Sequence, residues 1–222
     1  MKLCFGRVVF VLALFYFLPG RSVVAQESRN FELWNQNSVS GKIGEKSAIV
    51  LSEKIHYSST KSEITLKFGE VSYKRSVEKW FSWSSGVRFT ALKKENGWLN
   101  EQRPMVSLSF FPSAGNLKLN LSSRFEYLMY KNQNSYFRNL EKIEVESQPF
   151  TSLGLSVFSM GEMFTRLNRD NFHIFRWYGG MNMFTHLKFL RMRVFYALQY
   201  LKNNDALWVP TDVVGLNLNI SI

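Results

Sequence analysis

Cysteine is almost missing from this chain. The single one, Cys4, stands ahead of an N-terminal apolar run rather than behind it, so a lipoprotein cysteine is not indicated. Cleavage behind that run leaves no thiol, no disulfide and no cysteine metal site. No later apolar stretch is long enough for a spanning helix. A membrane-embedded form is therefore restricted to a closed β-barrel, the other structure that satisfies its own backbone in lipid. Also missing are a Gly-x-Ser-x-Gly elbow, a zinc-type His/Glu spacing and a phosphate-binding glycine loop, so no cofactor or metal is expected. Basic residues occur singly along the chain rather than in blocks, which argues against a nucleic-acid partner.

The N-terminus does carry a targeting pattern. Lys2 and Arg7 precede an apolar run from Val8 to Leu18, Pro19-Gly20 breaks it, and Val23-Val24-Ala25 offers small residues for cleavage. Residues 1–25 read as a secretory signal peptide, leaving 26–222 as the mature domain. Without Lys2, Arg7 and Arg21 the 28 basic residues become 25 against 17 acidic, a balance of about +8. In an exported chain, lipopolysaccharide phosphates or a basic lumen are the natural partners of that charge.

What the mature chain has in quantity is two-residue alternation. In Leu117–Tyr130, one row holds Leu117, Leu119, Leu121, Ser123, Phe125, Tyr127 and Met129, and the other holds Lys118, Asn120, Ser122, Arg124, Glu126, Leu128 and Tyr130. Successive strand side chains point to opposite faces, so this is a strand with one apolar and one charged face. Its 14 residues exceed the five or six or so of an ordinary strand and meet the roughly 9–11 of a membrane-crossing one.

The same unit recurs at Ser47–Ser58, Glu63–Lys74, Phe81–Leu92, Glu101–Phe111, Tyr136–Gln148, Leu153–Phe164, Phe175–Met183, Leu190–Leu201 and Val213–Ile222. Glu53 and Glu141 fall on apolar rows as misfits. The pattern slips near Gly69, as a bulge would cause. Phe31–Lys42 is a weaker candidate.

Tight connections near Arg75–Lys79, Pro112–Asn116, Ser147–Phe150 and Thr185–Lys188 alternate with longer polar ones at Lys93–Asn100, Lys131–Ser135, Arg166–Asn171 and Lys202–Leu207. This predicts an all-β, up-and-down antiparallel transmembrane β-barrel of the Gram-negative outer membrane. With both ends on the periplasmic side the strand count must be even. Ten is preferred, with Phe31–Lys42 outside the wall or plugging the lumen, and twelve is the alternative. Aromatics near strand ends (Trp80, Trp98, Tyr130, Tyr136, Tyr200, Trp208) fit interfacial girdles.

With lipid outside, Arg88, Arg103, Arg124, Glu126, Arg138, Glu144, Glu162, Arg176, Arg191 and Arg193 fall on the inner row. A lone buried charge is strongly disfavoured, so an Arg–Glu network across the lumen is expected. Such a network fills and stiffens a small barrel, or else lines a narrow anion-attracting pore or a site for a small anionic ligand.

Loose motifs carry a family resemblance. Gln102-Arg103-Pro104 opens one strand, Ser122-Ser123-Arg124-Phe125-Glu126-Tyr127 is an Arg strand ending in a Glu-Tyr pair, Glu162-Met163-Phe164 ends another, and Arg176-Trp177-Tyr178-Gly179-Gly180 combines Arg with Gly. Together they resemble the outer-membrane barrel family known as domain of unknown function 2490. Gln102 stands where that family suggests His, and the chain ends in Ile222 rather than an aromatic. The resemblance implies an outer-membrane barrel handled by the barrel-assembly machinery, with no catalytic residue.

An outer-membrane hydrolase (lipase, lipid A-modifying or rim protease type) and a soluble ligand-binding barrel are the alternatives. The first rests on His56 beside Ser58 and Ser59, or on His173 with Asp170, Asp205 and Asp212 in the longer loops, while His186 lies at a tight turn. Serine is abundant and Asp favours turns for its own backbone chemistry, so neither grouping makes a site by itself.

Overall fold

Each alternating stretch forms a strand, and most run on into the polar residues that flank them. The computed structural model describes residues 29–222 apart from 132, 151–153, 168–170, 185–188 and 203–206. Its strands are β1 (Asn30–Lys42), β2 (Ser47–Ser58), β3 (Glu63–Glu78), β4 (Phe81–Lys94), β5 (Gly97–Phe110), the two-residue β6 (Ser113–Ala114), β7 (Leu117–Tyr130), β8 (Tyr136–Ser147), β9 (Leu155–Arg166), β10 (Asn171–Phe184), β11 (Leu190–Lys202) and β12 (Trp208–Ser221). Consecutive long strands pair antiparallel, and β5 pairs directly with β7. Because β1 also pairs with β12, the sheet closes into a barrel of eleven long strands, with β6 a short bridge against β7. The expected signal peptide and its cleavage site lie outside the described residues.

Two expectations about closure are corrected. The segment Phe31–Lys42 neither plugs the lumen nor stays outside. It is a full stave, matched residue for residue with β2 and β12. The count is therefore eleven, not ten or twelve. The even-number rule assumed an antiparallel seam, and here β1 and β12 run parallel, from Asn30↔Thr211 to Ser40↔Ser221. Parallel closure needs an odd count and puts the start of β1 and the end of β12 at opposite rims.

The alternation of short and long connections also disappears. Connections at the rim holding the C-terminus span 43–46, 79–80, 111–116, 148–154 and 185–189; those at the other rim span 59–62, 95–96, 131–135, 167–170 and 203–207. The polar stretch Lys93–Asn100 looked like a loop but is mostly strand, turning at Glu95-Asn96. Gly97 follows at φ 118°, a backbone conformation that a side chain disfavours.

The slip expected at Gly69 lies elsewhere. Register shifts skip Thr65 on β3, Val77 later in β3 and His173 on β10, all near rims. At the β5–β7 seam no pairing is recorded at Arg103 or Pro104, consistent with the donor that proline lacks.

The two faces sort in the sense opposite to that of a soluble barrel. Outward residues include Leu51, Phe89, Val106, Ile143 and Met181, with Phe125 47% and Val194 51% exposed. Inward residues include Glu126 at 1%, together with Arg103, Arg138, Glu144 and Glu146. Of the expected girdle, Trp80, Trp98 and Trp208 are exposed at strand ends. Tyr130 and Tyr136 instead sit on the inner rows and stack on one another at 6.1 Å. A second inner feature is aromatic: Trp34, Phe158, Tyr178 and Phe195 cluster with Ala197 and Val213 on the lumen side.

Candidate functional site in the barrel lumen

Inward alternation delivers charged side chains from neighbouring strands to one lumen, and all ten residues predicted for it take part in ion pairs. Glu126 on β7 is the hub. It faces Arg138 Nη2 at 2.5 Å, Arg124 Nε at 2.9 Å and Arg103 Nη1 at 3.5 Å. Arg103 pairs in addition with Glu101 on its own strand, and the Tyr130 hydroxyl donates to the same carboxylate at 2.6 Å. Arg88 donates through Nε and Nη2 to Glu70 at 2.8 and 2.5 Å. Arg176 meets Glu162 at 3.4 Å and Gln199 at 2.7 Å, and Glu162 also accepts from Tyr178 at 2.8 Å.

Most of these pairs lie along the wall, between adjacent strands or within one. Two do not. Arg193 Nη2 and Arg191 Nη2 on β11 reach Glu144 and Glu146 on β8, each at 2.6 Å. Since β9 and β10 lie between, these pairs are chords that lace the β8 and β11 walls together. Arg193 is further fixed by Asn182 at 2.7 Å, and Glu146 by Ser156 at 2.8 Å.

An aromatic ring lies under five of the seven paired lumen guanidinium groups: Phe68 under Arg88 (4.1 Å), Phe164 under Arg138 (4.9 Å) and Arg176 (4.8 Å), Phe158 under Arg193 (3.9 Å), and Phe184 under Arg191 (4.8 Å). The recurrent unit is a carboxylate beside the cation and a π-face beneath it, which compensates the charge twice where water is scarce. Among the described cations that line the lumen cavity, two have the ring without a carboxylate within 4 Å. Arg166 lies over Tyr136 at the rim (4.7 Å), and Lys54 lies deeper, 3.9 Å from the Trp34 ring.

Trp34 itself is 2% exposed and stacks on His56 at 4.1 Å and 13°. Its indole N–H donates to Glu32 at 2.7 Å, and His56 Nδ1 lies 3.6 Å from the same carboxylate. Gly180 makes close strand approach possible beside this cluster. A Cβ there would stand 2.2 Å from the Val194 carbonyl oxygen and 2.8 Å from Phe195 Cα.

The lumen encloses a cavity of about 1460 Å³ that reaches the rim near Lys94, Gln133–Tyr136 and Lys202. Eleven Lys and Arg but only three Glu line it. The half-buried Glu70 and the buried Glu126, Glu144 and Glu146 stand outside that lining, so the space faces mostly cations.

Of the groupings considered for hydrolysis, the described residues bring neither His56 into a hydrogen bond with Ser58 nor His173 to the side of the wall that Asp212 occupies. Ser58 is buried and accepts from the Lys61 N–H at 3.2 Å, while His56 Nε2 has no hydrogen-bond partner. Asp212 points outward, bonded by the Tyr196 hydroxyl and 3.8 Å from Arg29, whereas His173 is buried and lines the lumen. Asp170, Asp205 and His186 lie outside the described residues. Among the described residues no group of three His, Cys, Asp or Glu is placed to hold a metal ion.

Sequence reasoning left out Glu70, Glu101, Glu146, Lys54 and Trp34. A register argument finds some of them: Glu101 shares a row with Arg103, and Glu70 lies directly across a hairpin from Arg88. Trp34 had no such signal, because β1 itself was not placed in the wall. Comparison with family models, curated proteins and solved structures yields no match.

Proposed function

We propose that this chain is a small outer-membrane β-barrel of structural or narrow-pore character, exported by its N-terminal segment, with a charged Arg/Glu interior. The observation that carries the reading is the inverted sorting of side chains: Phe125 and Val194 half exposed, Glu126 and Arg138 buried. Water favours the opposite arrangement, whereas acyl chains favour this one.

Strand length supports it. Every long strand has 12 to 16 residues. At roughly 3.3 Å per residue the shortest runs about 40 Å, or about 30 Å when tilted by some 40°. The resemblance to the domain-of-unknown-function 2490 barrels belongs to this proposal and adds no activity to it. Lipid and lipopolysaccharide are the partners it implies, with the assembly machinery during biogenesis.

Fractionation with heat-modifiable gel mobility tests the reading. The expected outcome is outer-membrane recovery and a compact band that shifts on boiling. Recovery in the soluble periplasmic fraction without detergent would overturn it.

A further inference from the structure

Lys54 breaks the rule that the other deep lumen cations obey. Each paired lumen arginine has a carboxylate at its side, and five of the seven have a ring beneath; Lys54 has the Trp34 ring and no carboxylate within 4 Å. Its neighbours are left short of partners in the same way. Across the β2–β3–β4 register, Lys54 stands beside Phe68 and Phe68 beside Thr90, with His56 next on the same face of β2. Lys54, His56 and Thr90 are all buried, and all line the cavity. His56 Nε2 and Thr90 Oγ1 are buried polar atoms with no hydrogen-bond partner. Unmade hydrogen bonds at buried groups are costly, and a cluster of them on one cavity wall points to a partner.

The chemistry of that partner follows from the groups presented. The Lys54 ammonium only donates, and the Thr90 hydroxyl can donate. The guanidinium of Arg176 lies 5.0 Å from the same indole ring. Glu32 and Glu162, the nearby carboxylates, are already engaged by Trp34, Tyr178 and Arg176. What is missing is an acceptor bearing negative charge.

We propose that the lumen holds a small oxyanion, the phosphate or carboxylate group of a solute entering from the rim opposite the C-terminus. The Lys54 ammonium is its charged partner and the Thr90 hydroxyl donates to it. His56 Nε2 bonds to it as acceptor or donor according to the proton the anion carries. The site goes beyond the outer-membrane reading and does not depend on it, since the cavity lies inside the barrel whatever surrounds the wall.

The experiment uses the full chain folded in detergent micelles, with inorganic phosphate and acetate titrated separately by calorimetry at constant ionic strength over a chloride background. Saturable binding of either probe is expected, and which one binds names the source of the group. Lys54→Met should weaken it by about tenfold or more, the size of one charge-assisted hydrogen bond, with heat-modifiable mobility unchanged. Thr90→Val should weaken it severalfold, and Arg75→Gln on the exposed rim should leave it unaltered. Saturation by neither probe overturns the site, as does unchanged binding in Lys54→Met. Should Lys54→Met fail to fold, unchanged binding in Thr90→Val overturns it.

Discussion

At the scale of single residues, Glu126 has the heaviest electrostatic duty in the wall, because three guanidinium groups converge on one carboxylate. Its loss leaves buried cations facing each other. Glu126→Gln should therefore destabilise the barrel by about 3–5 kcal/mol, measured by urea unfolding in lipid vesicles. Arg124→Met should cost less, since Glu126 keeps two partners and Arg124 is the least buried of the three. Equal costs would mean that the hub is not the organising charge. The misfits on the outer face make the converse case. Glu141 is bonded there by Ser123 at 2.7 Å and Asn139 at 2.5 Å, and Glu53 by Asn37 at 3.0 Å. Under the proposed outer-membrane reading, these local bonds lessen the penalty of a carboxyl group facing acyl chains without abolishing it. Glu141→Leu should stabilise the vesicle-embedded barrel by about 1 kcal/mol, below the effect of a lipid-facing Lys or Arg at mid-depth. Destabilisation in vesicles would argue that this wall faces water or protein.

At the scale of elements, the seam between β1 and β12 decides the strand count. The register sets Asn37 against Leu218, both on outer rows. With Cys4 replaced by serine, Asn37→Cys with Leu218→Cys should oxidise to an intramolecular crosslink within the folded barrel. Failure to crosslink would place β1 away from the wall. How legible each element was follows from the range of its signal. A two-residue period is a property of neighbouring side chains, so ten strands could be read directly. β1 could not, because Asn35 and Asn37 put polar groups on its outer face, where the other strands of this wall are mostly apolar. Parallel pairing, moreover, leaves no local mark at all. Connections misled for a related reason: Lys93, Lys94 and Asn100 are polar because they sit near a wet rim, not because the chain turns there. The interior was readable as a row, residue by residue. Its partners depended in part on hairpin register, which is how Glu70 came to be missed.

At the scale of the whole molecule, the question is whether the lumen conducts. The two chords from β11 to β8 cross it, with Phe158 beneath Arg193, and the cavity occupies what remains. Conductance in planar bilayers should be small and weakly selective for anions, given the excess of lining cations. Arg191→Ala combined with Arg193→Ala removes both chords and should raise the single-channel conductance. An unchanged value would show that the aromatic cluster around Trp34 is the true constriction. The parallel seam has one more effect. Because Asn30 and Ser221 emerge from opposite mouths of the cylinder, epitopes fused at the two extremities of a mature chain would sit on different sides of any sheet of lipid it pierces. Antibody added to intact cells would then recognise one and never the other, whereas a barrel zipped shut in the ordinary hairpin sense would show or hide both together.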